Sequence, residues 1–373
     1  MKWNIPDIPE AEEVFRPIYK WYCLLAFIML YIVVGILLWV TKSSTLIQKI
    51  FYLCLPLLIV GIFILSIRVH KQYQTKAWAE EKRHIEDRWK QWANKKIALL
   101  EKGVYLPQEI LIDGMLDGTG KTFHNEAFHL PKEAFEQAIW ECLEALDELL
   151  KGTLLTNIRF YIDSDNYQYR IECFDSFKKT ANLFQNIIRN DFLLIQENNE
   201  NILDDWIENM NDGLHVFFSP AINGHSNSEE DFTENITWFI FSNESWSKRN
   251  KFPVKNYIGR SISINSANKA EISSSLEKFY HYSYIENCSI QYWLDRYSFS
   301  TLEGHGLLPC LLSVGTNKNI KQSVESYLGR APLNINWLLI ALITKELDFK
   351  HDINIIVYAN KSKDELNLHI IST

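Results

Sequence analysis

Two uncharged apolar runs near the amino terminus constrain this chain more than any other feature. The first run is Trp21–Thr41 and the second is Ile50–Ile67, and a turn of eight residues separates them. A helix needs roughly 20 apolar residues to cross the hydrocarbon core of a bilayer. The runs therefore predict a transmembrane helical hairpin over 21–67, preceded by a tail over 1–20. The alternative is a buried hairpin within a soluble protein.

The distribution of basic residues around these runs predicts an orientation. Nine Lys and Arg residues lie within 68–96 and three in the tail, against two in the turn. Because Lys and Arg accumulate on the cytoplasmic side of a membrane, we predict that both termini are cytoplasmic. The predicted location is a bacterial inner membrane. The six cysteines show no paired spacing, so we predict no disulfide framework, no metal site and no cofactor.

The segment that follows the second run has a helical composition. Residues 68 to about 101 contain no Gly or Pro and are rich in strong helix formers. We therefore predict a basic juxtamembrane helix over 68–104. Its tryptophans Trp78, Trp89 and Trp92 share one face at helical spacing, which predicts a packing or partner face. That face could pack on the chain's own domain, lie at lipid headgroups or contact another protein.

The remainder of the chain alternates strands with helices, which predicts an α/β domain with a mixed sheet covered by helices. We divide it into half one, 105–250, and half two, 251–373. For half one we predict strands at 109–113, 155–162, 191–196, 213–219 and 236–242, and helices at 131–151, 173–188 and 200–210. For half two we predict strands at 258–264, 309–314, 353–359 and 366–371, and helices at 268–282, 319–328 and 333–346. The net charge of −8 indicates no nucleic-acid partner.

Half one has the order βαβαβαββ, half two has a similar order with the stretch 288–300 ambiguous, and each half ends in two adjacent strands. This arrangement resembles the duplicated thiolase-like fold of ketoacyl synthases. That resemblance implies a catalytic cysteine at the start of a helix in half one and polar partners, usually histidines, from loops of half two. The matching helix begins near Asn199–Asn201 and has no cysteine. His305 and Cys310 in half two are the remaining catalytic candidates. The missing nucleophile favours reuse of the scaffold as a non-catalytic module.

A glycine-rich segment offers a candidate nucleotide site at Gly118, Gly120 and Lys121. A phosphate-binding loop requires GxxxxGK[ST], and the position of its first glycine is Met115 in this chain. The alternative is a turn between a strand and a helix.

The layout also resembles two-span inner-membrane accessory, adaptor or immunity proteins of bacterial type VI secretion. Trp89 and Trp92 followed by Leu106–Pro107 carry that resemblance. It implies a non-catalytic membrane-anchored protein that presents its cytoplasmic domain to a protein partner, such as a secreted effector, with the lipid bilayer as second partner. The alternative is a membrane-tethered thiolase-like or other enzyme that acts on a lipid-related or nucleotide substrate.

Overall fold

The computed structural model describes most of the chain from residue 45 onward. The described ranges are 28–30, 32–33, 35–36, 45–151, 157–164, 166–190, 192–195, 202–225, 231–266, 268–283, 285, 288–313, 318–322, 324–332, 334–346, 353–360 and 365–372. The chain divides into two compact units, one over residues 5–89 and the other mainly over residues 90–373. The elements described below, apart from most of helix α1, belong to the second unit.

The structure corrects the prediction of a transmembrane hairpin. In the part of the chain that the structure describes, no helix is long and apolar enough to cross a membrane. The prediction of two spans in an inner membrane, with both termini cytoplasmic, is therefore wrong. The tail over 1–20 and most of Trp21–Thr41 lie outside the described residues, and the second run lies within helix α1, Leu46–Ala93.

Among the residues that the structure describes, eleven strands form one mixed sheet in the second unit. They are β1 Lys96–Tyr105, β2 Ile158–Ile162, β3 Phe192–Ile195, β4 Leu214–Ala221, β5 Asn235–Asn243, β6 Asn256–Gly259, β7 Ile262–Asn265, β8 Ile290–Leu294, β9 Lys318–Gln322, β10 Ile353–Asn360 and β11 Glu365–Ser372. Ten helices accompany the sheet. They are α2 Ile112–Asp117, α3 Ala134–Leu150, α4 Tyr167–Ala181, α5 Ile202–Asn209, α6 Glu244–Asn250, α7 Lys269–Tyr282, α8 Arg296–Gly304, α9 Leu308–Leu311, α10 Glu325–Leu328 and α11 Ile335–Glu346.

The strand order shows a duplication. In half one the order is β3-β2-β4-β5-β1, with β2 parallel to β3 and β4, and β5 antiparallel to β4 and β1. In half two the order is β9-β8-β10-β11, followed by β6 and β7, with the same pattern of parallel and antiparallel pairs. Each half therefore repeats one five-strand topology, with β6 and β7 sharing the place of one strand.

Strand β1 joins the two halves because it pairs with β5 on one side and with β6 on the other. Its residues Ile97–Leu100 are fully buried, as expected for a strand covered on both faces. At Gly103 the strand passes against the side chain of Trp238, where an added Cβ would come within 2.2 Å of the indole nitrogen. The sequence of β1 is therefore set by close packing on both faces.

Three apolar clusters give this unit its layers. The central cluster takes side chains from strands of both halves together with α5 and α11. The second cluster lies between half one of the sheet and helices α3 and α4. The third cluster lies between half two of the sheet and helices α7 to α9. Helices α5 and α11 are thus enclosed between the two halves of the sheet.

Much of the predicted element order is confirmed. The helix predicted over 131–151 is α3, and its inner face buries Ala138, Ile139, Cys142, Leu143, Leu146 and Leu150. The strands predicted at 353–359 and 366–371 are β10 and β11, which pair as a hairpin, and the mixed α/β class is confirmed. Side-chain periodicity was sufficient for these elements because each buries one regular face.

Several boundaries and element types differ from the prediction. The juxtamembrane helix ends at Ala93, since the run that follows it pairs as β1 despite its helix-forming composition. Residues 109–113 form no strand, and 309–314 contain the short helix α9, which has Pro309 in its first turn. The predicted helix 319–328 is instead β9 and α10, because pairing with β8 overrides local propensity.

Candidate functional site

The two enclosed helices begin against strands of the opposite half. Asp204, in the first turn of α5, meets Ser261, which lies between β6 and β7 of half two. Asn334, directly before α11, meets Ser219 on β4 of half one. Each of these helix starts brings polar side chains of both halves together.

The α5 site, defined here as Asp204, Ser261, Asn336, Tyr358 and His369, starts with a carboxylate. The Ser261 backbone N–H donates to Asp204 Oδ1 at 2.9 Å, and the Ser261 hydroxyl donates to Oδ2 at 2.5 Å. Because the Ser261 N–H points at this carboxylate, the strand predicted over 258–264 is interrupted between β6 and β7. The carboxylate is held by hydrogen bonds from half two although it stands on a helix of half one.

A tyrosine and a histidine on adjacent strands complete the site. The hydroxyl oxygen of Tyr358 on β10 lies 3.0 Å from Nε2 of His369 on β11. The two rings are stacked, with centroids 5.5 Å apart and an angle of 9° between their planes. Asn336, in the first turn of α11, also hydrogen-bonds Tyr358. Residues from α5, α11, β10 and β11 thus lie together at this site.

The environment keeps both rings uncharged near neutral pH. Burial lowers the pKa of His369 to about 4, and the negative charge of Asp204 opposes that effect. Burial also raises the pKa of Tyr358 well above its ordinary value, with Asp204 adding to the rise and the Asn336 hydrogen bond opposing it. Desolvation of the charged form is the main cause in each case.

One atom of the α5 site is unsatisfied. His369 is buried, with only 5% of its surface exposed. Among the described residues, its Nδ1 has no hydrogen-bond partner. Most buried polar atoms in native proteins are paired, so an unpaired one calls for a specific explanation. Asp204, Asn336 and Tyr358 are each partly exposed, which brings the solvent boundary close to this imidazole.

The α11 network, defined as Asp163, Ser219, Asn235 and Asn334, is different in character. Asn334 Nδ2 donates to both oxygens of Ser219 at 3.0 Å, and Asn235 Nδ2 donates to Asn334 Oδ1 at 2.8 Å. The Ser219 hydroxyl donates to Asp163 at 2.7 Å. Three of its four members are amide or hydroxyl residues that are almost completely buried. This network joins the start of α11 to half one.

The catalytic candidates from the sequence lie elsewhere. Nε2 of His305 is 3.1 Å from the carbonyl oxygen of Ser266, and Sγ of Cys310 is 3.9 Å from the Ser273 hydroxyl. Cys310 packs on the third apolar cluster, on the opposite side of the sheet from α5. The structure therefore does not bring this histidine and cysteine to the start of α5, where the thiolase resemblance places the nucleophile.

The other thiols among the described residues of the domain also belong to clusters that do not contain α5, and Cys288 packs against the third apolar cluster. Cys142 and Cys173 are buried in the second apolar cluster, and burial raises the pKa of the Cys173 thiol to about 12 and that of Cys142 further. A thiol is reactive mainly as its thiolate, so these two are poor nucleophiles. Residues 196–201, directly before α5, read QENNEN. The chain thus lacks the cysteine that the resemblance implies.

The glycine-rich segment forms a compact turn. Gly118 is the left-handed C-cap of α2, and Gly120 packs against Gly114. The amino group of Lys121 lies 4.9 Å from the centroid of the Phe123 ring. The next described helix is α3, which begins at Ala134. Nucleotide binding at Gly118, Gly120 and Lys121 stays a prediction.

Trp92, one of the three predicted tryptophans, contacts two charged residues of the described domain. Trp92 donates its indole N–H to Glu208 at 2.7 Å, and the guanidinium of Arg260 lies 4.1 Å above its ring centroid. Arg260 is fully buried and also pairs with Glu208 at 2.7 Å. Trp78 and Trp89 are partly buried, and their role as a shared packing face stays a prediction.

Comparison with known proteins identifies the fold. No protein-family model matches the sequence, and no curated protein matches it. A ketosynthase of a type II polyketide synthase, solved with its acyl-carrier protein and the hexaketide, superposes with a TM-score of 0.51 at 8% identity. That match covers 75% of this chain and 99% of the other. The peroxisomal 3-ketoacyl-CoA thiolase of Saccharomyces cerevisiae gives a TM-score of 0.46 at 8% identity, covering 75% and 98%.

The likeness to the ketosynthase establishes a thiolase-like fold, and two predictions are corrected. This likeness gives no support to a resemblance to type VI secretion proteins. The prediction of a non-catalytic membrane-anchored accessory or immunity protein is therefore wrong. The predicted protein partner stays a prediction.

Sequence reasoning did not find Asp204, Ser261, Tyr358 or His369. They belong to no recognisable motif and are separated by up to 165 positions along the chain. One signal was present, since His369 occupies an inward position of a strand that is otherwise largely apolar. A buried histidine in such a strand requires a partner or a function.

Proposed function

We propose that this chain is a thiolase-like enzyme that acts on the acyl group of a lipid-related substrate, with its reaction centre at the α5 site. The observation that carries the proposal is the concentration of ionisable and hydrogen-bonding side chains at the start of α5. In the matched ketosynthase structure the protein is bound to an acyl chain, a hexaketide, and to an acyl-carrier protein. An acyl thioester is therefore the substrate class that this fold suggests.

The site favours chemistry that does not require a cysteine. Asp204 is an anion fixed by two hydrogen bonds from Ser261, and the neutral His369 lies within reach of its charge. A carboxylate acting with an imidazole can position water or a second substrate and move protons. Acyl transfer to water or to a small acceptor fits this set better than a covalent acyl-cysteine route.

The proposal is tested by incubating the purified chain with acyl thioesters of coenzyme A of increasing chain length. Release of the thiol is followed with a chromogenic thiol reagent, and the acyl product is identified by mass spectrometry. We expect turnover by the wild-type chain and a loss of about 100-fold in kcat/KM for Asp204→Asn, the scale typical of a general acid–base group.

Asp205→Asn is the matched control because Asp205 is the next residue on α5 and is exposed. It should keep the wild-type rate. Absence of thiol release across all chain lengths would overturn the proposal, as would an Asp204→Asn variant with the rate of Asp205→Asn.

A further inference from the structure

Two acidic residues on one face of α5 bind two consecutive residues of half two. Asp204 and Glu208 are one helical turn apart, so their side chains lie on the same face of the helix. Asp204 accepts two hydrogen bonds from Ser261, and Glu208 Oε1 lies 2.7 Å from a guanidinium nitrogen of Arg260. Arg260 and Ser261 are the two residues between β6 and β7. The break between these strands is therefore fixed to α5 at two points.

The position of Glu208 is unfavourable for α5 taken alone. Glu208 is the next-to-last residue of this helix, where the helix dipole is negative. Two carboxylates at positions i and i+4 also repel each other. The charge of Glu208 is therefore balanced from outside the helix, by Arg260 and by the amino group of Lys95 at 3.5 Å. Glu208 contributes through these contacts and not through the stability of α5 itself.

Trp92 brings the end of α1 into the same assembly. Its indole N–H donates to Glu208 Oε1 at 2.7 Å, and its carbonyl oxygen accepts from Arg260 Nε at 3.2 Å. The guanidinium of Arg260 lies 4.1 Å from the centroid of the indole ring. Trp92, Glu208 and Arg260 all belong to the second compact unit. Because Arg260 is only 1% exposed and is held from two sides, it has little freedom to move.

The charges of this assembly depend on one another. Burial raises the pKa of Glu208, but the Trp92 N–H and the charges of Arg260 and Lys95 outweigh burial and lower this pKa below its ordinary value. Glu208 is therefore an anion at neutral pH. Loss of its charge leaves the buried guanidinium of Arg260 without its counterion, which is strongly unfavourable. We expect Arg260 to move in response, and Ser261, its neighbour in the chain, to move with it.

We propose that Glu208 and Arg260 are positioning residues of the α5 site that act on Asp204 through Ser261, with Trp92 supporting both. The assignment rests on the proposed function, in which the Asp204 carboxylate moves a proton. A group in that role must lie within hydrogen-bond reach of the proton that it transfers. Glu208 and Arg260 set the place of the carboxylate, so their loss lowers the rate of the chemical step more than it weakens substrate binding.

Steady-state kinetics with acyl coenzyme A thioesters test the assignment of Glu208. Glu208→Gln keeps an acceptor for Trp92 and removes the charge. We expect kcat to fall about tenfold and KM to stay within about twofold, since a misplaced reacting group costs up to about 100-fold in rate. Asp212→Asn is the matched control, because Asp212 also lies 2.7 Å from an arginine, Arg249, in an exposed pair. It should keep the wild-type rate, and equal kcat values for the two variants would overturn the assignment.

A double variant separates positioning from a merely structural role. Losses at independent sites multiply, whereas losses that act through one shared group do not. In a chain that already carries Asp204→Asn, adding Glu208→Gln should therefore lower kcat by less than about twofold. A further tenfold loss in that chain would show that Glu208 does not act through Asp204.

Variants of Arg260 and Trp92 keep the test open if Glu208→Gln does not fold. Arg260→Lys retains the positive charge without the planar fork, and should keep a kcat at least about threefold above that of Arg260→Met. Trp92→Phe removes the N–H and keeps a ring, and should lose about threefold in kcat, the scale of one modest hydrogen bond. Trp140→Phe, at a tryptophan of α3 that is 45% exposed, should lose nothing. Equal rates within both pairs would contradict the proposal.

Hydrogen exchange provides a readout that needs no activity. The Ser261 backbone N–H donates to Asp204, so its exchange with deuterium reports how firmly this contact is held. Mass spectrometry with residue-level fragmentation should show exchange at Ser261 about tenfold faster in Glu208→Gln than in Asp212→Asn. Equal exchange in the two variants would mean that Glu208 does not hold Ser261.

The two proposals fail in different ways. A wild-type chain without turnover on any acyl thioester overturns the proposed function, while faster exchange at Ser261 in Glu208→Gln would still support the positioning of Asp204. An active wild-type chain with an equally active Glu208→Gln variant overturns the positioning role alone.

Discussion

The α5 site and the α11 network occupy equivalent places in the duplicated fold, yet they differ in chemistry. Each forms where an enclosed helix begins against the strands of the opposite half. At α11 three of the four residues are amides or a hydroxyl that bind one another. At α5 an aspartate, a serine and an asparagine are joined by a tyrosine and a histidine. Among the described residues, each place has one buried atom without a partner, Nδ1 of His369 at α5 and Oδ1 of Asn235 at α11. Duplication supplies two equivalent positions; one of them carries the network that joins α11 to half one, and the other carries the residues of the proposed reaction centre.

The largest expected effect concerns the network at α11. Asn334→Ala leaves Asn235 Nδ2 without its acceptor and removes one donor from each oxygen of Ser219, whose hydroxyl keeps its bond to Asp163. We expect the free energy of unfolding to fall by about 3 kcal/mol, since three buried hydrogen bonds are lost at about 1 kcal/mol each. Urea unfolding at pH 7, followed by tryptophan fluorescence, measures this change. A loss below about 1 kcal/mol would remove the joining role of this network.

Acid sensitivity should distinguish the α5 site from the α11 network. His369 has a pKa of about 4 in the folded chain against 6.5 unfolded, so the unfolded chain binds more protons between these values. The stability that the neutral ring contributes is complete above pH 6.5 and is lost as the pH falls toward 4. The difference amounts to about 3 kcal/mol, at about 1.4 kcal/mol per pH unit.

The test compares unfolding curves between pH 4 and 7 for three chains. His369→Gln should flatten the dependence of the free energy of unfolding on pH. The curve for Asn334→Ala should run parallel to the wild-type curve at lower stability. His215 is buried with a pKa also lowered to about 4, by burial and by the charge of Arg159, so some dependence will persist in every chain. Parallel curves for His369→Gln and the wild type would contradict this account.

A smaller effect is expected at Ser261. Ser261→Ala removes the hydroxyl that donates to Asp204 Oδ2 but keeps the backbone N–H that donates to Oδ1. We expect a loss of about 1–2 kcal/mol in the free energy of unfolding, as is usual for one hydrogen bond to a charged group. Thermal melting by circular dichroism is the measurement. A loss equal to that of Asn334→Ala would show that Asp204 also joins the halves.

Sequence reasoning succeeded where one periodic face decides the structure. The apolar face of α3 and the alternating order of strands and helices were readable, and they were enough to predict a thiolase-like arrangement. It failed at β1 and β9, whose residues favour helix and whose strand state depends on partners distant in sequence. The predicted membrane location was also wrong, because it rested on the composition of the two apolar runs alone.

The candidate site could not be predicted in the same way. Asp204, Ser261, Tyr358 and His369 come together only because β11 pairs with β10 on one side and with β6 and β7, which flank Ser261, on the other. Nothing local in the sequence connects them. The family resemblance implies a catalytic cysteine and loop histidines, and Cys310 and His305 were the candidates of those types. Both lie away from the start of α5.

The position of β1 between β5 and β6 has a consequence for dissecting the molecule. Because β1 pairs with strands of both halves, cleavage of the chain after Lys251, just beyond α6, would give two fragments. One fragment would hold β1 and the other β6, so each would lack the partner strand of this pair. Such fragments should recover their structure only when mixed, through complementation at the β1–β6 seam. The two repeats, though alike in topology, are thus parts of a single cooperative body and not interchangeable modules.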